Sequence, residues 1–333
     1  MLKINRSSKK FKLISLAFMG IISCVIIKVF IDNWHKVPLN ELEFNLQIFS
    51  VSFVLSGFIS GFSAWLWRYI LVILGENISF MNAWRITVYS QIFRYLPGKL
   101  WQYMGKVYWG NKIGLSNKNI LLSTFLETIF IMGGSFIASL FSLPLFIQKG
   151  YIAKGYIFIT LPLIAVPFAL ILNLRVLNKI FSLVGNKFLT EAMVITFPRR
   201  KIVLLILLYV FLWMLLGFQL FLLVLSLYKI PFSQYLYLSS FNALSWLVGF
   251  LSILAPSGIG VKEGIFILGF KIVVPVSFAI ICAIVIRFYT IITDVVITVV
   301  FFIFDKGAWK NLIEFRKTSK TVKADTNEPK EQK

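Results

Sequence analysis

Histidine occurs once, at His35, and cysteine twice, at Cys24 and Cys282. One imidazole cannot form a His-based dyad or a His-rich metal site in the core. The two cysteines sit in separate apolar runs far apart in sequence, so neither a disulfide framework nor a Cys-x-x-Cys metal site is available. Phosphate-loop, nucleophile-elbow and zinc-protease motifs are also missing, which argues against ATP-driven pumping by this chain alone and against the common hydrolases. Charge is scarce too: 14% of residues are charged, where a soluble domain has about 25%. Acids are the scarcest class, 13 against 34 basic residues. They are too few and too scattered to suggest a metal-dependent glycosyl or phosphoryl transferase.

What the chain has in abundance is apolar surface, 59% of its residues. The apolar residues fall in runs long enough to cross a hydrocarbon core of about 30 Å. The expected fold is an all-α, polytopic transmembrane bundle of about six to eight spans. Full spans are expected at residues 13–31, 46–70, 120–147, 153–173, 202–227 and 276–304. The basic N-terminus, with Lys3, Arg6, Lys9, Lys10 and Lys12, resembles the front of a signal peptide. The run after it ends without a small-x-small cleavage site and reads as a retained first span.

A net charge of +21 would suggest nucleic acid in a soluble protein. Here the charges lie between hydrophobic runs, so the positive-inside rule accounts for them and no nucleic-acid partner is expected. Residues 85–118 hold six basic residues and no acid, and residues 175–201 hold six against Glu191 alone. Both regions are expected in the cytoplasm, with both termini, of a plasma (inner) membrane protein. Residues 32–45, with Asp32, Glu41 and Glu43 against Lys36, suit the outside. The expected organisation is one transmembrane domain over residues 1–304, with halves at about 46–147 and 202–304. Residues 305–333 form a polar cytoplasmic tail.

Two apolar segments, 81–110 and 234–270, are interrupted. The first contains Arg94-Tyr95-Leu96-Pro97-Gly98-Lys99, and the second contains Pro256, Gly258 and Gly260 followed by Lys262-Glu263. Proline removes a backbone donor and glycine weakens a helix, so both segments are expected to break and to re-enter the membrane. Broken backbone at membrane depth must be buried in protein or line a wet cavity. Span, broken segment, span occurs twice: starts at 46, 81 and 120 return at 202, 234 and 276, and Pro97 returns as Pro256. Entry from opposite sides makes the repeat inverted, and paired Pro/Gly-broken segments point to a transporter's central site. Chance offsets in any eight-segment protein are the bland alternative.

The candidate binding residues are Arg94, Lys99, Glu127, Lys262, Glu263 and Arg287. Arg94 precedes the first break and would be carried inward, whereas Lys106 to Lys112, among aromatics, reads as an interfacial belt. Glu263 suits a plain helix cap, and Lys262 with exposed amides suits an anion nest. Glu127 and Arg287 lie inside spans, where charge is costly. Arg287 has Glu127, Glu263 and Asp294 as possible partners, and such pairs could equally be structural.

Arg94 with Leu96-Pro97-Gly98, and Ala255-Pro256-Ser257-Gly258-Ile259-Gly260-Val261-Lys262-Glu263, resemble the two signatures of the lysylphosphatidylglycerol synthase transmembrane-region family. Glu127 falls where that family often has a Glu-Arg pair, with Thr128 in the partner's place. Arg287 sits at a Tyr-Arg-Leu-like element, and Ser257 replaces the first glycine of Pro-Gly-Gly. The resemblance spans about 46–304 and implies the flippase-like membrane half of the multiple peptide resistance factor. In that factor a separate soluble domain transfers lysine from lysyl-tRNA to the lipid. The chain ends within about 30 residues of its last span, so that transferase domain is expected to be absent and no enzyme is expected. The expected function is binding and flipping of an anionic phospholipid or a polyprenyl-phosphate-linked glycan precursor, without a cofactor or metal. The alternative is a non-transporting anchor or regulator of a membrane enzyme that modifies lipid or polysaccharide.

Overall fold

The computed structural model describes residues 43–95, 101–148, 198–252 and 260–305. Every element there is helical, and no strand occurs among the described residues. The first half comprises α1 (Leu46–Ile73), α2 (Phe80–Ile92) with a 3-10 turn at Phe93–Tyr95, α3 (Trp101–Lys112) and α4 (Asn117–Ser139). A further 3-10 turn leads α4 into the short α5 (Leu143–Gln148). The second half comprises α6 (Arg199–Leu225), α7 (Tyr235–Leu251), α8 (Val261–Phe270) and α9 (Val276–Phe304). Four helices, α1, α4, α6 and α9, are long and apolar enough to cross a membrane. They coincide with four of the expected spans; those at 13–31 and 153–173 lie outside the described residues.

Both interrupted segments fold back on themselves. Tyr89 on α2 meets Trp109 on α3 with ring centroids 4.9 Å apart, and a Cβ on Gly105 would lie 3.2 Å from the Ser90 Cα. Residues advancing along α2 thus meet residues receding along α3, which makes an antiparallel hairpin. In the second segment the Tyr237 hydroxyl donates to the Gly269 carbonyl at 3.1 Å, and Gly249 lies against Lys262. That is again an antiparallel hairpin, α7 with α8.

The two halves run in opposite senses. The Asn45 amide donates to the Ser226 carbonyl at 2.8 Å, and the Ser52 hydroxyl donates to the Gln219 carbonyl at 3.0 Å. Phe62 meets Phe211 further along. The start of α1 therefore lies at the end of α6, and these equivalent helices are antiparallel. Each hairpin packs on its own half and also across to the other: α2 packs on α9, and α7 packs on α4. Trp84 on Phe301 marks where the first hairpin meets the opposite half, and the buried cluster that holds Ala138 and Ala243 marks where the second does. The arrangement is an inverted repeat.

Polarity is arranged for lipid. Val54, Phe58, Leu207, Phe211, Phe288, Ile292 and Ile303 are exposed, whereas Ser52, Ser123, Ser135, Ser239 and Ser240 are buried. Apolar side chains facing outward cost nothing in hydrocarbon, while small residues between helices let backbones approach closely. The buried hydroxyls are satisfied locally: those of Ser123, Ser135 and Ser240 donate to carbonyls three or four residues back. The approach at Gly217 is especially close to backbone, since a Cβ there would lie 1.9 Å from the Ser239 hydroxyl and 2.6 Å from its Cα.

Candidate functional site

The two hairpins converge on one cavity of about 660 Å³, within the range of small-molecule sites. Its walls come from both halves. The first hairpin supplies Gln91, Arg94, Tyr103 and Lys106, α4 supplies Glu127 and Thr128, and the second hairpin and α9 supply Lys262, Glu263 and Arg287. Ile131, Trp246, Phe250, Phe266 and Ile286 make the remainder apolar.

Local sequence explains how the polar groups arrive there. Arg94 sits in the 3-10 turn that closes α2, ahead of the first break. Gly260 has φ +84°, in the left-handed region that glycine tolerates, and α8 starts at the next residue. Glu263 then falls in the first turn, and its carboxylate accepts from the Gly260 amide at 2.6 Å. That carboxylate also takes Arg287 from α9. Glu263 is thus both the cap and an ion-pair partner, and the Gly260 amide is already engaged and not offered to a ligand.

Among the described residues three ion pairs hold the site. Lys106 on α3 contacts Glu127 on α4 at 2.5 Å, Arg287 pairs with Glu263, and Arg94 pairs with Asp294 on α9, joining the two halves. The Lys106 side chain is only 3% exposed, and its ammonium stands 4.4 Å from the centre of the Trp67 ring. Trp67 in turn donates from its indole to the Ser123 hydroxyl at 3.1 Å. The interfacial-belt reading of Lys106 is therefore corrected: its charge is buried in a cavity wall, matched by a carboxylate and an aromatic face.

Of the residues named from sequence, Arg94, Glu127, Lys262, Glu263 and Arg287 line this one cavity. Lys99, Pro97, Gly98, Pro256 and Gly258 lie outside the described residues. Of Arg287's three candidate partners, Glu263 is the one bonded, while Glu127 is held by Lys106 and Asp294 by Arg94. Lys106, Gln91, Tyr103 and Thr128 also line it and were not among the binding residues expected from sequence. A signal for Lys106 did exist. Lys106 and Glu263 are 157 residues apart, and Glu127 and Arg287 are 160 apart. Both spacings match the period of the repeat, so the two ion pairs occupy equivalent places with their signs exchanged.

Chemically, the arrangement offers a charged, cation-rich pocket against an apolar wall. That combination suits a molecule with an anionic head and a greasy body. A family model described as the lysylphosphatidylglycerol synthase transmembrane region matches residues 13–298, most of the chain. No curated protein matches it.

Proposed function

The chain belongs to the lysylphosphatidylglycerol synthase transmembrane-region family, and from that membership and the cavity we propose that it binds an anionic lipid headgroup and helps it cross the bilayer. It is an integral membrane protein. The observation that carries the reading is the meeting of two oppositely oriented broken hairpins at one charged cavity. Broken backbone in lipid has to be sheltered by protein or water, and such junctions in inverted repeats are where transporters hold their cargo. The headgroup would enter beside Arg94, Lys262 and Arg287 while its acyl or prenyl chains stay against the apolar wall. An anionic phospholipid and a polyprenyl-phosphate-linked glycan both fit that description.

We also propose the plasma membrane as its location, with both termini in the cytoplasm. The six basic residues of 85–118 without an acid favour that orientation. In it the first hairpin enters from the cytoplasm and the second from outside.

The test is reconstitution of the full chain into liposomes carrying fluorescent headgroup-labelled lipids, followed by a membrane-impermeant quencher. The expected result is loss of signal beyond the outer-leaflet share for at least one anionic lipid. Quenching confined to the outer leaflet across phosphodiester, phosphomonoester and pyrophosphate lipids would overturn the translocation reading.

A further inference from the structure

Three of the four described cations around the cavity are matched by carboxylates: Arg94 by Asp294, Lys106 by Glu127 and Arg287 by Glu263. Lys262 is the exception. Its chain neighbour Glu263 turns its carboxylate to Arg287 and the Gly260 amide. Among the described residues no carboxylate stands within ion-pair distance of the Lys262 ammonium. Glu263 acts on it from beyond ion-pair distance, and two of the matched cations, Arg94 and Arg287, also lie within electrostatic reach of it.

The stem of Lys262 is held from behind. A Cβ placed on Gly249 of α7 would lie 3.0 Å from the Lys262 Cβ, so the hairpin packs backbone against lysine and a methyl group there would push the stem aside by a few tenths of an ångström. Gly249 and Lys262 both border the cavity. Its described lining and the partners of that lining thus amount to three neutral pairs and one surplus positive charge. An unmatched interior charge is unfavourable, and a ligand that supplies its complement gains accordingly.

We infer that Lys262 sets the charge of the headgroup that the cavity accepts at one negative charge. This deepens the lipid-binding reading above and rests on it. The chemical class selected is a phosphodiester, with its single charge. A phosphomonoester or pyrophosphate brings a second or third charge, which among the described residues finds a cation by breaking Arg94 from Asp294 or Arg287 from Glu263. Either exchange strands a carboxylate beside the anion. A zwitterionic headgroup meets Lys262 with its phosphate but sets its own cation among Arg94 and Arg287.

The experiment is native mass spectrometry of the full chain in detergent, titrated with phosphatidylglycerol, phosphatidylcholine, phosphatidic acid and farnesyl pyrophosphate. Wild type is expected to hold phosphatidylglycerol about tenfold more tightly than the other three. Lys262→Gln should bring phosphatidylglycerol down to the level of phosphatidylcholine, and Lys262→Arg should keep the original order. Gly249→Ala leaves the lysine in place but displaces its stem, so it should erode the preference in the same direction. An unchanged ratio of phosphatidylglycerol to phosphatidylcholine in Lys262→Gln, or tightest binding of farnesyl pyrophosphate by wild type, would overturn this inference and leave the lipid-binding reading standing. Failure of wild type to bind any of the four would remove both.

Discussion

The two hairpins stand in equivalent places of the repeat, yet their ion pairs differ in sign and in setting. In the first half the cation is on the hairpin, Lys106, and the carboxylate on the following span, Glu127; in the second half Glu263 is on the hairpin and Arg287 on the span. The first pair is sealed, with Lys106 3% and Glu127 15% exposed and Trp67 covering the ammonium. The second is open on one side, with Arg287 38% exposed. The repeated backbone thus dictates that an opposite pair joins hairpin to span, and leaves the polarity of that pair free. Burial then separates their uses. A sealed pair pins the first hairpin in place, whereas an open one keeps a guanidinium within reach of a ligand.

The largest expected effect is all-or-none and concerns the inversion itself. In a background without Cys24 and Cys282, Asn77→Cys should react with an impermeant maleimide from one membrane face and Lys229→Cys from the other. Both residues are exposed, beyond the ends of α1 and α6. Labelling of both from the same face would break the comparison at its root.

Next comes the sealed pair. Removing one partner of a buried ion pair costs about 3–5 kcal/mol, because the other charge is left uncompensated. Glu127→Ala should therefore lower stability by that amount in detergent unfolding, and combining Lys106→Met with Glu127→Met should recover most of it. Arg287→Ala should cost less, about 1–3 kcal/mol, since the half-exposed guanidinium is the partner removed and the Glu263 carboxylate left behind keeps the Gly260 amide. Equal losses at the two sites would erase the distinction between pinned and open hairpins.

A smaller contrast lies beneath the hairpins, where Gly61 and Gly217 are also 156 residues apart. Alanine at 217 would drive a methyl into the Ser239 backbone, and such overpacking costs about 1–3 kcal/mol. Alanine at 61 meets only the edge of Trp84 at 3.3 Å. There the usual helical gain over glycine, about 0.8–1 kcal/mol, should leave stability unchanged or slightly raised. Thermal unfolding of the two single variants side by side measures the difference.

Much of the fold was legible because hydropathy and helix breaking are local properties. The apolar runs at 46–70, 120–147, 202–227 and 276–304 announced α1, α4, α6 and α9 to within a few residues. The interruptions near Pro97 and Pro256 announced two paired helices each. Lys106 shows the limit. Its neighbours Tyr103, Tyr108 and Trp109 look like an interfacial belt, and nothing adjacent to it in the chain reveals Glu127 one helix later. Arg287 likewise had three plausible carboxylates, and only the crossing of α8 over α9 selects Glu263.

By itself the amino-acid sequence determined that this chain lives in lipid, that it repeats, and that its helices fail at two matched places. It did so because each of those facts is written in windows of some twenty neighbouring residues. Which charges meet was decided in three dimensions, since the bonded partners are separated by 21, 24 and 200 residues. Packing of each hairpin against the span that follows it closes two of these pairs, and packing of the first hairpin on α9 closes the third.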